Sequence, residues 1–190
     1  MNHYQEEIEK AASALRKGLV ILYPTDTIWG LGCDATNRRA INRLLRIKRR
    51  TDSKSLITLI DDVVNLTKYV KEVPAVAYDL LQNSANPLSI IFPAGQNLAR
   101  NAYGPDGSVC IRVTNSSFCK SLVQAFGRPI ASTSANFAGE STPLYFGQIS
   151  KELIKSTDHV VNLYQDVIST PKASTIIRIE KNGSFTIVRP

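Results

Sequence analysis

Tyr23-Pro24-Thr25-Asp26-Thr27-Ile28-Trp29-Gly30-Leu31-Gly32 opens on the last residue of a short apolar run, residues 19–23, and leads toward a helical period beginning near Arg38. The run reads as a buried strand. Residues 24–37 hold proline, hydroxyls and glycines without a helical period, so they are expected to form a loop. A helix over residues 38–49 should follow.

The rest of the chain has the same mixed character. Residues 4–17 carry Ile8, Ala11, Ala12 and Leu15 at helical spacing, with Gly18 as a stop. Strands are expected at residues 55–60, 88–92, 109–113 and 129–132, and extended chain at 159–163. Helices are expected just after Asp61 or Asp62, at 74–82, at 117–126 and over 146–154. Residues 173–180 and 184–189 alternate across Asn182-Gly183, a hairpin signal. Strands and helices intersperse without a regular βαβ beat, repeat or low-complexity linker. The expected fold is a single α/β domain over residues 1–190, with a twisted, mixed β-sheet and surrounding helices.

A chain of 190 residues with 43% hydrophobic and 21% charged content has the composition of a soluble globular protein. No apolar stretch approaches the roughly 20 residues of a membrane helix, and the polar, acidic start is not a secretory signal. The expected location is the cytoplasm, with no membrane partner. Cys33, Cys110 and Cys119 make an odd number without a Cys-x-x-Cys pair. They argue against a disulfide framework and against a zinc site, so no protein-held metal is expected. With only His3 and His159, histidine catalysis is also not expected.

The net charge of +7 is concentrated: Arg38, Arg39, Arg43, Arg46, Lys48, Arg49, Arg50 and Lys54 are opposed locally by Asp52 alone. Such a cluster attracts polyanions. At 100° per residue, Ile41, Leu44 and Leu45 share one arc of the helix and Lys48 falls within it. Lys48 is therefore aimed inward, the alternative being a lysine snorkelling at a helix end. Arg39, Arg43 and Arg46 lie opposite, as a solvated or RNA-facing surface. Arg50 falls past the helix end, where Thr51-Asp52-Ser53 would turn it back. Ser132-Thr133-Ser134-Ala135-Asn136 adds hydroxyls and an amide in a tight turn. Fixed cations, hydroxyls and flexible backbone are what a nucleotide triphosphate requires, although Ser and Asn there also suit a purely structural turn. Arg112, on the apolar strand Val109-Cys110-Ile111-Arg112-Val113, needs a bound carboxylate or a buried acidic partner.

Together these runs resemble the YrdC-like family of threonylcarbamoyl-AMP synthases. That family's pattern is Tyr-Pro-Thr-x-Thr-x-x-Gly-Leu-Gly, then Lys-x-Arg, then Ser-x-Asn within Thr-Ser-Ala-Asn. The resemblance covers nearly the whole chain and is to the short form without a C-terminal extension. It implies a positively charged concave cleft and the condensation of L-threonine, bicarbonate and ATP into threonylcarbamoyl-AMP and pyrophosphate. Magnesium would accompany ATP, with no tightly bound cofactor. The product would pass to a downstream transferase complex that modifies tRNA, and weak tRNA or RNA binding is a further partner expectation.

By this resemblance Lys48, Arg50, Ser134 and Asn136 are catalytic. Lys48, Arg50, Lys54, Ser108, Ala135, Thr142 and Arg189 contact ATP, while Thr27, Arg112, Thr133 and Ser174 contact threonine. The chain departs from the pattern at Thr51, where proline is usual, at Lys54-Ser55-Leu56, and at Leu59, where histidine is usual. Asn115-Ser116-Ser117 also lack a histidine, and a glycine usual between Asp166 and Ser174 is absent. Most departures surround the amino-acid pocket. The rivals are an RNA-binding module without catalysis and a related carbamoyl chemistry. The helix lacks the interleaved aromatics an RNA groove would use.

Overall fold

In the computed structural model, residues 2–50, 56–167 and 173–190 are described. Lys54, expected at the nucleotide, lies outside them. Helix α1 (His3–Arg16) starts on Asn2, whose side chain accepts from the Gln5 amide at 2.9 Å. Its buried Ile8, Ala11, Ala12 and Leu15 form the predicted stripe. Strands β1 (Ile21–Tyr23) and β2 (Gly30–Asp34) lead to α2 (Arg38–Ile47), β3 (Ile57–Ile60), the one-turn α3 (Leu66–Tyr69) and α4 (Ala75–Asn83). Then come β4 (Leu88–Phe92), β5 (Val109–Val113), α5 (Ser117–Phe126), β6 (Ile130–Ser134), α6 (Lys151–Ser156), β7 (His159–Val160), β8 (Thr175–Ile179) and β9 (Phe185–Arg189).

Among the described residues, nine strands form one sheet in the order β7-β1-β2-β6-β3-β5-β4-β8-β9. It is mixed: β7 with β1, β3 with β5 and β4 with β8 run parallel, the other pairs antiparallel. The β8–β9 hairpin closes through Gly183 at φ 86°, as the Asn-Gly signal predicts.

The expected loop at 24–37 is corrected in its second half. Gly30–Asp34 is a central strand, all five residues buried, between β1 and β6. Two glycines hide such a strand from a reading by β propensity. The structure supplies the reason for one of them: a Cβ on Gly32 would lie 2.6 Å from Tyr23 Cε1 and 3.0 Å from Ile130 Cγ2. Tyr23 lies across this strand and donates to Ser132 Oγ at 2.7 Å. Strand β6 runs on through Ser134, so the hydroxyl motif begins on a strand and turns only at its end. The expected helix at 146–154 splits into a 3₁₀ turn, Phe146–Gln148, and α6.

The strand pleat decides where a cavity can form. On one side of the sheet, α2 and its neighbours cover Leu22, Leu31, Cys33 and Ala131, while α3 and α4 cover Ile90, Phe92, Val109, Ile111 and Ile177. On the other side, α1 and α5 pack against Ile21, Tyr23, Ile57, Leu59 and Ile130. Beyond that cover, the same side carries Arg112 on β5, Ser89 on β4 and Arg178 on β8, the positions alternating with the apolar core. The helical cover stops where the strands change from apolar to polar.

Candidate active site

A cavity of about 420 Å³ opens there, at the ends of β2, β3, β5 and β6. Lys48, Arg50, Arg112 and Arg189 line it, and no carboxylate is among its described lining residues. Of the residues expected to act, Thr27, Thr133, Ser134, Asn136, Thr142 and Ser174 line it too.

The end of α2 explains its two cations. Ile47 is the last helical residue and Lys48 the cap. Arg49 takes a left-handed φ of 55°. The Arg49 amide then bonds Arg46 O at 3.0 Å and the Arg50 amide bonds Leu45 O at 2.9 Å. This is a Schellman closure with arginine where glycine is usual. The chain thus already turns at Arg49, two residues before the predicted Thr51-Asp52-Ser53, which lies outside the described residues. The Arg49 side chain leaves the cavity: its guanidinium sits 3.9 Å over the Phe137 ring and pairs with Glu152.

Lys48 follows the apolar stripe inward and is 3% exposed. Its ammonium donates to Ser134 O at 2.8 Å and to the Asn136 carbonyl, with Ser134 Oγ and Asn136 Oδ1 each at 3.4 Å. Three N–H bonds therefore serve four acceptors on the β6 turn. Burial and the neighbouring Arg50 charge bring its pKa down to about 8, with Glu140 opposing. The Asn136 amide is committed as well, donating to Phe137 O at 3.1 Å and Glu140 O at 2.7 Å. This half of the cavity is a saturated frame that presents charge.

The other half is built differently. Arg112 is 6% exposed and donates through Nη1 to Asp26 Oδ1 at 3.2 Å and Thr27 Oγ1 at 3.1 Å. Asp26, its side chain 11% exposed, is the acidic partner that an arginine on an apolar strand requires. Arg112 Nε, also buried, has no partner among the described residues. An unmet buried donor costs about 1–3 kcal/mol. Thr25 Oγ1 donates its one hydrogen to Ile28 O at 2.6 Å, so in the 3.0 Å contact between Thr25 and Thr27 the donor is Thr27. Thr27 thus gives its hydrogen away and retains a lone pair. A guanidinium lining the cavity beside an unfilled acceptor suits a carboxylate beside an amine.

Ser174 Oγ lies 2.9 Å from Ser89 Oγ, and Arg189 donates to Ser174 O through Nε at 3.2 Å and Nη2 at 2.8 Å. Burial, then the Arg112 charge, holds the Arg189 pKa below its ordinary value. Ala135, expected at the nucleotide, is buried and is not among the cavity's lining residues; its amide donates to Trp29 O at 2.9 Å.

Ser108 does not line this cavity. Its hydroxyl donates to Asp106 Oδ1 at 2.5 Å, beside a separate concavity of about 440 Å³ lined also by Cys110 and Arg178. The Ser108 hydroxyl and amide, helped by Arg178, draw the Asp106 carboxyl down to about 2. Burial pushes the thiols of Cys110 and Cys119 up to about 12, so neither supplies a thiolate near neutral pH. Among the described residues no group of three or more His, Cys, Asp and Glu converges as a metal site. No helix among them is long and apolar enough to cross a membrane.

Asp26 and Ser89 escaped the sequence reading. A lone hydroxyl within the apolar Leu88–Phe92 and an acid within the threonine-rich motif were the available signals.

The Sua5/YciO/YrdC family model, described as telomere recombination, matches residues 13–190. The chain belongs to this family. It is 35% identical over 161 residues to the threonylcarbamoyl-AMP synthase of Pseudoalteromonas translucida (strain TAC 125), covering 83% of this chain and 86% of that protein. Among solved structures it superposes on E. coli YciO with a TM-score of 0.83 at 27% identity, over 97% of this chain and 89% of that one. It superposes on the H234A/Y235A form of P. abyssi Sua5 with a TM-score of 0.86 at 25% identity, over 96% of this chain. There it spans about half of the longer protein, 53%. Membership agrees with the mixed α/β architecture and with the three motifs meeting at one cavity.

Proposed function

We propose that the protein is an L-threonylcarbamoyladenylate synthase, condensing L-threonine, bicarbonate and ATP into threonylcarbamoyl-AMP and pyrophosphate. The observation that carries this reading is the pairing of two unlike half-sites in one cavity. The Arg112 guanidinium and the Thr27 lone pair suit an α-amino acid, and Lys48 and Arg50 suit a triphosphate. Relatives of similar length that bear this activity as their name support it.

The amine of threonine adds to the bicarbonate carbon and water leaves, giving a carbamate. A carbamate oxygen then attacks the α-phosphorus of ATP; the new P–O bond forms as the bond to the β-phosphate breaks, and pyrophosphate departs. No side chain need act as nucleophile. The protein holds a labile carbamate in line and offsets the charge growing on phosphorus. Magnesium enters as part of the nucleotide substrate. Ser174, Thr133 and Arg112 border the amino acid. Arg50, Arg189, Thr142 and the Ser134–Asn136 turn, braced by Lys48, border the nucleotide. The product then serves a tRNA-modifying transferase step.

Pyrophosphate release is measured with ATP, magnesium, L-threonine and bicarbonate, omitting each in turn, with the adduct identified by mass. Release that requires both threonine and bicarbonate is expected. Salt-sensitive RNA binding without turnover would overturn the reading in favour of a binding module. Part of the basic helix face is already engaged, since Arg43 Nε donates to Asp158 Oδ2 at 2.8 Å.

A further inference from the structure

We propose that Asp26 is a positioning residue for the amino-acid half of the site, holding Arg112 by one guanidinium nitrogen so that the guanidinium edge facing the cavity serves a carboxylate. The inference rests on the synthase reading above. The family motif leaves this position unassigned, between the threonines at 25 and 27.

Asp26 binds in two directions. Oδ1 accepts from Arg112 Nη1 at 3.2 Å. Oδ2 accepts from the Asn115 amide at 3.1 Å and lies 3.4 Å from the Thr114 hydroxyl. The carboxylate thus joins the substrate loop to the segment leaving β5. The side chains of the pair are 8% and 11% exposed, so water does little to hold the guanidinium. Arginine has several rotatable bonds and a planar fork, and its direction must be imposed by partners. Among the described residues Asp26 is its only charged partner. Thr27 is the other contact, and it shares the same nitrogen. Arg189, also lining the cavity, carries like charge toward Arg112. Without Asp26 the guanidinium would be free to turn, and its cavity-facing edge would no longer present a fixed donor.

Asp26→Asn keeps the shape and an acceptor for the Asn115 amide while removing the charge. L-Threonine and L-threoninamide, which lacks the carboxylate, are titrated into wild type and variant by calorimetry, and KM is measured for threonine and for ATP. Wild type should prefer threonine over its amide. The variant should lose about tenfold of that preference, roughly 1.4 kcal/mol. Its KM for threonine should rise about tenfold while its KM for ATP stays within about twofold. Asp26→Glu, which keeps the charge and displaces it, should recover part of the loss. If Asp26→Asn does not fold, the same preference is read in Asp26→Glu, where a partial loss is expected. An equal loss for threonine and its amide, or equal rises in both KM values, would reduce Asp26 to a fold contact and overturn the proposal. Selective threonine binding without adduct formation would sink the synthase reading and leave the Asp26 test standing. A wild type that binds neither compound overturns both.

Discussion

The two halves of the cavity hold their cations by opposite means. Lys48 is reached through its own helix: the apolar stripe of α2 points it inward, and its hydrogens are consumed by the β6 turn. Arg112 is reached across the fold, held by Asp26 and Thr27, some 85 residues away in sequence, and left with an unfilled donor. The first half is a finished frame that offers charge. The second is a lighter hydrogen-bond set, held through one guanidinium nitrogen, that leaves the arginine lining the cavity. A phosphate chain needs neutralisation more than direction, whereas an amino acid must be aligned for its amine to react; the two constructions suit those demands.

The largest expected effect comes from Lys48→Ala. It removes the charge and leaves the Ser134 and Asn136 carbonyls without their donor. Turnover should fall by about 10³-fold, and stability by about 1–3 kcal/mol, read by adduct formation and thermal melting. A fall in turnover without any fall in melting temperature would show that the frame does not depend on Lys48. Arg112→Lys keeps charge and loses the fork. The KM for threonine should rise about 10²-fold with the KM for ATP little changed, and equal rises would erase the distinction between the halves.

pH sharpens the comparison through Lys48. With its pKa at about 8, kcat/KM for ATP should decline as pH rises through that value. The limb in kcat should lie higher, since bound triphosphate favours the charged form. Lys48→Arg should remove the limb, and a limb that survives belongs to another group. The stability term runs the other way. Folded Lys48 binds fewer protons than unfolded lysine between about 8 and its ordinary 10.5, so its contribution to stability rises with pH across that window.

Gly32→Ala tests the floor beneath both halves. The new Cβ would meet Tyr23 and Ile130 in a central strand, and a loss of about 1–3 kcal/mol is expected by denaturant titration. Arg49→Gly should be the mildest. It relieves a left-handed arginine, worth about 1–2 kcal/mol, and forfeits the Phe137 and Glu152 contacts, so melting should move little. A large drop would place the Arg49 side chain among the supports of the frame.

Much of this was legible in the chain, and unevenly so. The β4, β5 and α5 bounds, the hairpin at Asn182-Gly183, and the inward Lys48 all follow from period and turn chemistry within a dozen residues. Strand β2 was missed because glycines carry no propensity signal; the reason for Gly32 lies in Tyr23 on the neighbouring strand. Ser108 was expected at the nucleotide, yet its bond to Asp106 turns it toward the neighbouring concavity. The chain already turns at Arg49, which accepts a conformation usually left to glycine, while Thr51-Asp52-Ser53, where a turn was expected, lies outside the described residues.

What the amino-acid order determined by itself is local: which residues form helix or strand, which face each side chain takes, and that an arginine at 112 must find an acid. Which acid it finds was decided by the fold. Asp26, Ser89 with Ser174, and the meeting of α2 with the β6 turn depend on strand order and register across the sheet. Periodicity reports the direction of a side chain from its own backbone. Its partner depends on which distant strand lies alongside, and that is settled only when the whole sheet buries its apolar faces together.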